Sequence, residues 1–302
     1  MELWIWLALG SAVVFGLKDI LAKKYFKKSD VSPKQIMFEE YFLGIFLILL
    51  FFFPLVDFSS FYEYYWLFIL KAAVIGTSTL VYFELLKKYD ISQVSPLLNL
   101  SPVFLIFFSF ILLNEMISFI QFLGILLIIV ATYFVEVHQH NHLGKNISNP
   151  EKKHFKLLSL KPSKFFMLSI LMLITISFAA IFDKMILSSD INVYTNLYFT
   201  SLLIFLVLFI YFVYKGVLFN SFKRVISEPQ TLIIAFLAIF SNFMVLFAIA
   251  IPSALVSLIV PLRRTSTLFS ALVGGILFHE RNLLRKIFAT LVMLFGIVLI
   301  VI

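Results

Sequence analysis

The sequence predicts an all-α integral membrane protein, with ten transmembrane helices arranged as two inverted five-helix repeats. Three observations carry this. Of 302 residues, 62% are hydrophobic and only 13% charged; water-soluble domains run near half apolar and a quarter charged, so lipid is the solvent that suits this chain. Ten apolar runs are long enough to cross a bilayer, for which roughly 20 helical residues suffice. The second half of the chain also aligns on the first at a shift of about 165 residues.

Taken in order, the spans are 3–23, 36–56, 64–86, 92–113 and 117–137, then 165–187, 193–214, 230–250, 254–278 and 283–302. The first follows Met1-Glu2, with neither a basic leader nor an A-x-A cleavage site, and is read as a retained helix. The third holds Lys71 about two turns in and ends at Lys87-Lys88. The fourth carries Pro96-Leu97 near its start and closes at Asn114-Glu115. Most connections are short, which favours neighbours packed up and down. The exception is the polar, basic stretch 138–164, which separates a first unit, 1–137, from a second, 165–302. His138, His140 and His142 alternate within it; a solvated loop is the plain reading and a metal site the alternative.

The ninth span reads SALVSLIVPLRRTSTLFSALVGGILF from Ser253. A helix over it carries Arg263 and Arg264 near the membrane midplane, where an arginine costs a few kcal/mol and marks a functional position by default. Pro261, just ahead of the pair, removes one backbone hydrogen bond and predicts a kink.

The net charge of +8 reflects topology rather than nucleic-acid binding. The lysines cluster in the loops after the odd-numbered spans, while the opposite loops carry Asp57, Glu63, Glu115 and Asp190 and almost no cation beyond Lys184. Positive loops stay in the cytoplasm, so both termini are expected outside. Zero cysteines exclude disulfides and thiolate metal sites.

The repeat is specific in register. Pro96-Leu97 falls on Pro261-Leu262, Ser92 on Ser257, Ser101 on Ser266, Phe104 on Phe269 and Asn114-Glu115 on His279-Glu280, with Lys18-Asp19 opposite Asp183-Lys184. Five spans is an odd number, so the halves enter the membrane with opposite orientation. Inverted repeats imply alternating access around a midplane site between the halves.

The two copies, ISQVSPLLNLSPVFLIFFSFILLNEMISFIQFLGILLI and VSLIVPLRRTSTLFSALVGGILFHERNLLRKIFATLVMLFGIVLI, resemble the EamA domain of the drug/metabolite transporter superfamily. The likeness lies in a Pro-Leu early in the fourth span of each half, a glutamate closing that span, and a Gly-containing apolar last span. It implies a ten-helix secondary transporter. Its members carry amino acids, sugars, nucleotide-sugars, phosphorylated metabolites or drugs, so the cargo stays open. The basic pair Arg263-Arg264 is also similar to the pair used by plastid sugar-phosphate relatives.

From the residues themselves, Arg263 and Arg264 suit an anion clamp, because guanidinium binds carboxylate or phosphate through paired hydrogen bonds. The alternative is a structural ion pair with Asp183 or Glu39. Lys71 either adds charge to the cavity or snorkels to the surface. Asn99 and Ser101, Asn196 and Thr200, and Ser241 and Asn242 are polar residues within apolar runs; they line a cavity or hydrogen-bond between helices. Lys18-Asp19, Asp183-Lys184, Glu39-Glu40 and Glu84 lie near helix ends, where salt bridges or snorkelling explain most of them. Asp19 and Asp183 are the best carboxylates for proton coupling, since a desolvated acid can load and release a proton. Glu115 and Glu280 look structural.

No P-loop, metal-ligand cluster within a span or Ser/His/Asp set is present, so neither an enzyme nor a cofactor is expected. The expected function is secondary transport of a small polar, anionic metabolite across the plasma membrane of a prokaryotic cell. The expected substrate-binding residues are Arg263, Arg264, Lys71, Asn99, Ser241, Asn242 and Asn196. The partners are a small-molecule substrate and the lipid bilayer, with no nucleic acid, in a monomer or homodimer. The competing readings are an exporter of amino acids or drugs with a structural arginine pair, a membrane enzyme, and a scaffold without transport activity.

Overall fold

The fold is that of a computed structural model, which describes residues 2–28, 31–88, 94, 98, 101–143, 164–267, 288, 291, 292, 295, 296, 298 and 299. Every regular element among them is helical. The first helix, α1 (Leu3–Lys28), is followed by α2 (Pro33–Phe52), which starts on proline with Ser32 as its N-cap, the hydroxyl accepting from the Gln35 amide at 3.2 Å. Proline needs no amide partner in a first turn and serine supplies one, so the boundary is fixed locally. A short 3-10 turn, Phe53–Leu55, leads to α3 (Ser59–Lys88), kinked at Tyr64. Then come α4 (Ser101–Leu113), α5 (Phe119–Leu143) and α6 (Lys164–Leu187). The last described helices are α7 (Val193–Tyr214), α8 (Leu218–Ser227), α9 (Pro229–Ala250) and α10 (Val256–Arg263).

Among the described residues, six helices are long and apolar enough to cross a membrane: α1, α2, α3, α6, α7 and α9. The described parts of the fourth and fifth spans form shorter apolar helices, Ser101–Leu113 and Phe119–Ala131. Three expectations change. The loop expected from 138 starts later, because α5 continues helically to Leu143. The loop between the seventh and eighth spans contains α8, which follows a turn at Gly216 with φ 67° and docks Phe222 edge-on against Phe38 and Phe42, both at 5.1 Å. The helix expected over 254–278 is interrupted at the arginines, since α10 ends at Arg263 and Arg264 caps it, its amide reaching the Val260 and Pro261 carbonyls, each at 3.1 Å; the backbone is helical again at 266–267, and 268–278 lie outside the described residues. The tightened turn thus falls on the arginines rather than at Pro261.

Helix pairing crosses the two halves of the sequence. The helix α1 lies along α9, and α3 lies along α6; α4 packs on α6, and α10 on α1; α2 meets α9, and α7 meets α3. Exchanging the halves converts the first member of each of these couples into the second. The couples α2–α7 and α4–α10 map onto themselves. The α1–α9 contact is close and polar: the Ser11 hydroxyl donates to the Ser241 carbonyl at 2.9 Å, and the Ser241 hydroxyl donates back to the Ser11 carbonyl at 3.0 Å. Small residues let helix backbones approach in this way. Gly296 does the same for the last span, since a Cβ there would lie 2.8 Å from the Gly124 carbonyl oxygen of α5.

The apolar core has two clusters, one around Phe68, Tyr198, Ile259 and Leu262, the other around Phe38, Phe83, Leu86 and Phe212. The side chains that line the central cavity come from both.

Candidate functional site

Two adjoining cavities, a main lobe of about 120 Å³ and a smaller lobe of about 60 Å³, share part of their lining. Both are lined by Glu40 and Tyr41 of α2, Asp183 of α6, Asn242 of α9 and Arg263 of α10. Lys18 and Arg264 line only the main lobe, Lys71 only the smaller one. Six charged side chains thus line this space, and their pairing decides what the space attracts.

Lys71 does not snorkel. It is 2% exposed and points at α6, with Nζ 2.5 Å from Asp183 Oδ1 and donating to Asn196 Oδ1 at 2.7 Å. Asn196 closes the triangle, its Nδ2 donating to Asp183 Oδ1 at 3.0 Å. Three helices are tied at one point, and Asn196 stands behind the ion pair rather than among the cavity-lining residues. Lys18 lies 3.5 Å from Asp19 and over the Phe15 ring at 4.3 Å, and Tyr82 donates to Asp19 Oδ2 at 2.7 Å. A cation on an aromatic face gains from the ring quadrupole.

The arginines are held differently. Arg263 Nη2 donates to Asn242 Oδ1 at 2.9 Å and to Ser241 Oγ at 3.4 Å, and its guanidinium sits 4.9 Å from the Phe15 ring centre. Its Nε has no hydrogen-bond partner among the described residues. Arg264 donates from Nε to Ser101 Oγ at 3.0 Å, which joins α10 to α4. Among the described residues, neither arginine has a carboxylate within salt-bridge distance. The ion pair expected with Asp183 or Glu39 is absent there: Asp183 holds Lys71, and Glu39 accepts from Gln35 Nε2 at 2.7 Å.

The predicted residues Arg263, Arg264, Lys71 and Asn242 therefore meet at the cavity. Ser241 is fully buried in the α1–α9 contact, and Asn196 holds the lysine pair. Asn99 lies outside the described residues. Thr200 lines the smaller lobe, with its hydroxyl on the Asn196 carbonyl at 2.7 Å. Sequence reasoning missed Glu40, which it assigned to a helix-end salt bridge; the signal was a carboxylate two turns into an apolar helix. It also missed Phe15 and Tyr82, which nothing but three-dimensional proximity distinguishes from other aromatics.

One end of α10 is closed by Glu115. Its carboxylate accepts from the Val256 amide at 2.9 Å, the Ser257 amide at 3.0 Å and the Ser257 hydroxyl at 2.6 Å. A carboxylate on free amides at a helix N-terminus meets both the hydrogen-bond need and the dipole. The φ of 53° at Asn114 turns the chain to deliver it. Lys184 holds the carbonyls of Ile249, Ile251 and Ala254 in the turn that leads into α10, at 3.2, 3.4 and 2.9 Å.

Residues 2–137 match the sequence model of the EamA-like transporter family. A solved protein described as "Crystal structure of protein" superposes with a TM-score of 0.63 at 12% identity, over 96% of this chain and 96% of its own. That likeness shows a shared fold along the whole length. No curated protein matches the chain.

Proposed function

We infer that this chain, whose residues 2–137 are an EamA-like transporter domain, is a secondary transporter that moves a small polar, anionic metabolite across the plasma membrane by alternating access. A multi-pass membrane architecture and a transporter domain supply the general class. The exchange-symmetric helix pairing supports two inverted repeats, with both termini outside and the stretch between α5 and α6 in the cytoplasm.

The observation that carries the anionic cargo is the charge pairing. With Lys18 set against Asp19 and Lys71 against Asp183, two arginines face one remaining carboxylate, Glu40, across a central cavity. A cavity with surplus guanidinium attracts carboxylate or phosphate. Arg263, whose Nε has no partner among the described residues, is the proposed contact, oriented by Asn242. Asp19 and Asp183, the sequence candidates for proton coupling, act in this reading as counter-ions that leave the arginines to the cargo. The hydrogen bond from Arg264 to Ser101 favours a second reading for that residue alone, a link between helices.

The test is thermal stabilisation of detergent-purified protein by a panel of carboxylates, phosphate monoesters and organic cations. A ligand at 100 times its Kd stabilises by about 2.7 kcal/mol. Anions are expected to stabilise the parent and not Arg263→Ala. Stabilisation by cations alone, or by anions equally in both proteins, overturns the reading.

A further inference from the structure

Glu40 stands apart from every other acid near the cavity. It is 7% exposed, lines both lobes, and makes no hydrogen bond or ion pair with the described residues. Its Oε2 has no hydrogen-bond partner among the described residues. Asp183, Asp19 and Glu39 each have a partner on at least one oxygen, and although Asp19 Oδ1 makes no hydrogen bond among the described residues, Lys18 lies 3.5 Å from it. A buried polar group without a partner costs about 1–3 kcal/mol, and more when charged, so a site that keeps one points to an external partner. Arg263 Nε is the matching case on the donor side of the same two lobes. Among the described residues, the same lining thus offers a guanidinium with one N–H left without an acceptor and a carboxylate that lacks a donor.

Resting on the anionic-cargo reading, we propose that Glu40 is a specificity residue: its carboxylate accepts a hydrogen bond from a donor group on the cargo while Arg263 holds the cargo's acid group. The chemical class this selects is an acid that also bears an amine or hydroxyl, in preference to a bare carboxylate or phosphate of the same size. The cations Lys18, Lys71 and Arg264 do not replace Glu40, because they carry donors and no acceptor. Asp183 shares the lining but is engaged by Lys71 and Asn196.

The experiment uses matched probes and the full-length protein. Propionate is compared with 3-hydroxypropionate and β-alanine, and inorganic phosphate with glycerol phosphate and phosphoethanolamine, by Kd from thermal shifts of the parent, Glu40→Gln and Glu40→Asp. Donor-bearing probes are expected to bind the parent about tenfold or more tightly than their bare partners, as suits a hydrogen bond to a charged group. Glu40→Gln, which keeps a neutral acceptor in place of the charge, is expected to cut that ratio several-fold while bare probes keep their affinity, and Glu40→Asp to restore part of it. A merely structural Glu40 would weaken both members of each pair alike. Donor-blind binding in the parent, or an unchanged ratio in Glu40→Gln, overturns the role of Glu40 and leaves the anion reading standing. If no probe of either set binds the parent, the anion reading falls and takes this proposal with it.

Discussion

Lys71 and Asp183 form the most tightly coupled pair near the cavity, and breaking it gives a stability test that needs no ligand. At 2.5 Å, with side chains 2% and 12% exposed, their gross attraction at an effective dielectric of 20 is about 7 kcal/mol. Most of that offsets the desolvation of two buried ions, so the pair adds little against an apolar substitute. Removing one partner is another matter, because it strands the other charge. Lys71→Met leaves Asp183 with only the Asn196 amide, and Asp183→Asn leaves Lys71 with neutral oxygens. Each single change is expected to cost about 3–5 kcal/mol, while Lys71→Met/Asp183→Asn together lie well below the sum. Reversible unfolding in mixed micelles measures all four corners of the cycle. Additive losses would refute the claim that the two side chains neutralise each other.

Other expectations follow from single contacts. The chain has no cysteine, so Ser11→Cys/Ser241→Cys, placed where two hydroxyls lie 3.0 Å apart, should cross-link under mild oxidant; after proteolysis between the halves, the fragments should then run as one band until reduced. Glu115→Ala removes three charge-assisted bonds from the start of α10 and is expected to lower stability by about 2–4 kcal/mol, with Glu115→Gln intermediate; a loss below about 1 kcal/mol for the alanine would mean the cap is idle. Asp57, in the loop before α3, accepts from the hydroxyls of Ser59 and Ser60 and from the Ser59 amide, which holds its carboxyl at about 2 against an ordinary 3.8. A depressed acid stabilises the fold fully above its unfolded value and loses that contribution as pH falls through the folded one. The Asp57 carboxyl signal in carbon NMR should therefore titrate near 2, and a midpoint near 3.8 would show that the turn does not form.

Much of this was legible in the sequence because lipid imposes simple rules. A helix that must satisfy its own amides and present apolar side chains leaves a long hydrophobic run, and six such runs recur as helices. Arg263 and Lys71 stood out for the converse reason, as charges where charge is costly. Partners were harder. The sequence offered Asp183 or Glu39 as alternative partners of the arginines, and Asp183 instead pairs with Lys71, since no spacing along the chain says that α3 rather than α10 reaches it. Glu40 was discounted because a helix-end acid and a cavity acid look alike until the packing of α2 is known. The helix α8 was read as loop because its five apolar residues, Leu218, Phe219, Phe222, Val225 and Ile226, are too few to form a span, although they lie on a short amphipathic helix.

The reciprocal serine contact between α1 and α9 bears on how the protein is made. Its two residues are 230 positions apart. At translation rates of about 5–20 residues per second, roughly 10–50 s separate the insertion of the first from that of the second. Throughout that interval the nascent α1 sits in the bilayer with Lys18 and Asp19 on it and its principal neighbour not yet synthesised. The adjacent opposite charges limit the cost of that wait by serving each other. A ribosome that stops before residue 229 therefore leaves an orphaned helix, which makes truncated products natural clients for membrane quality control.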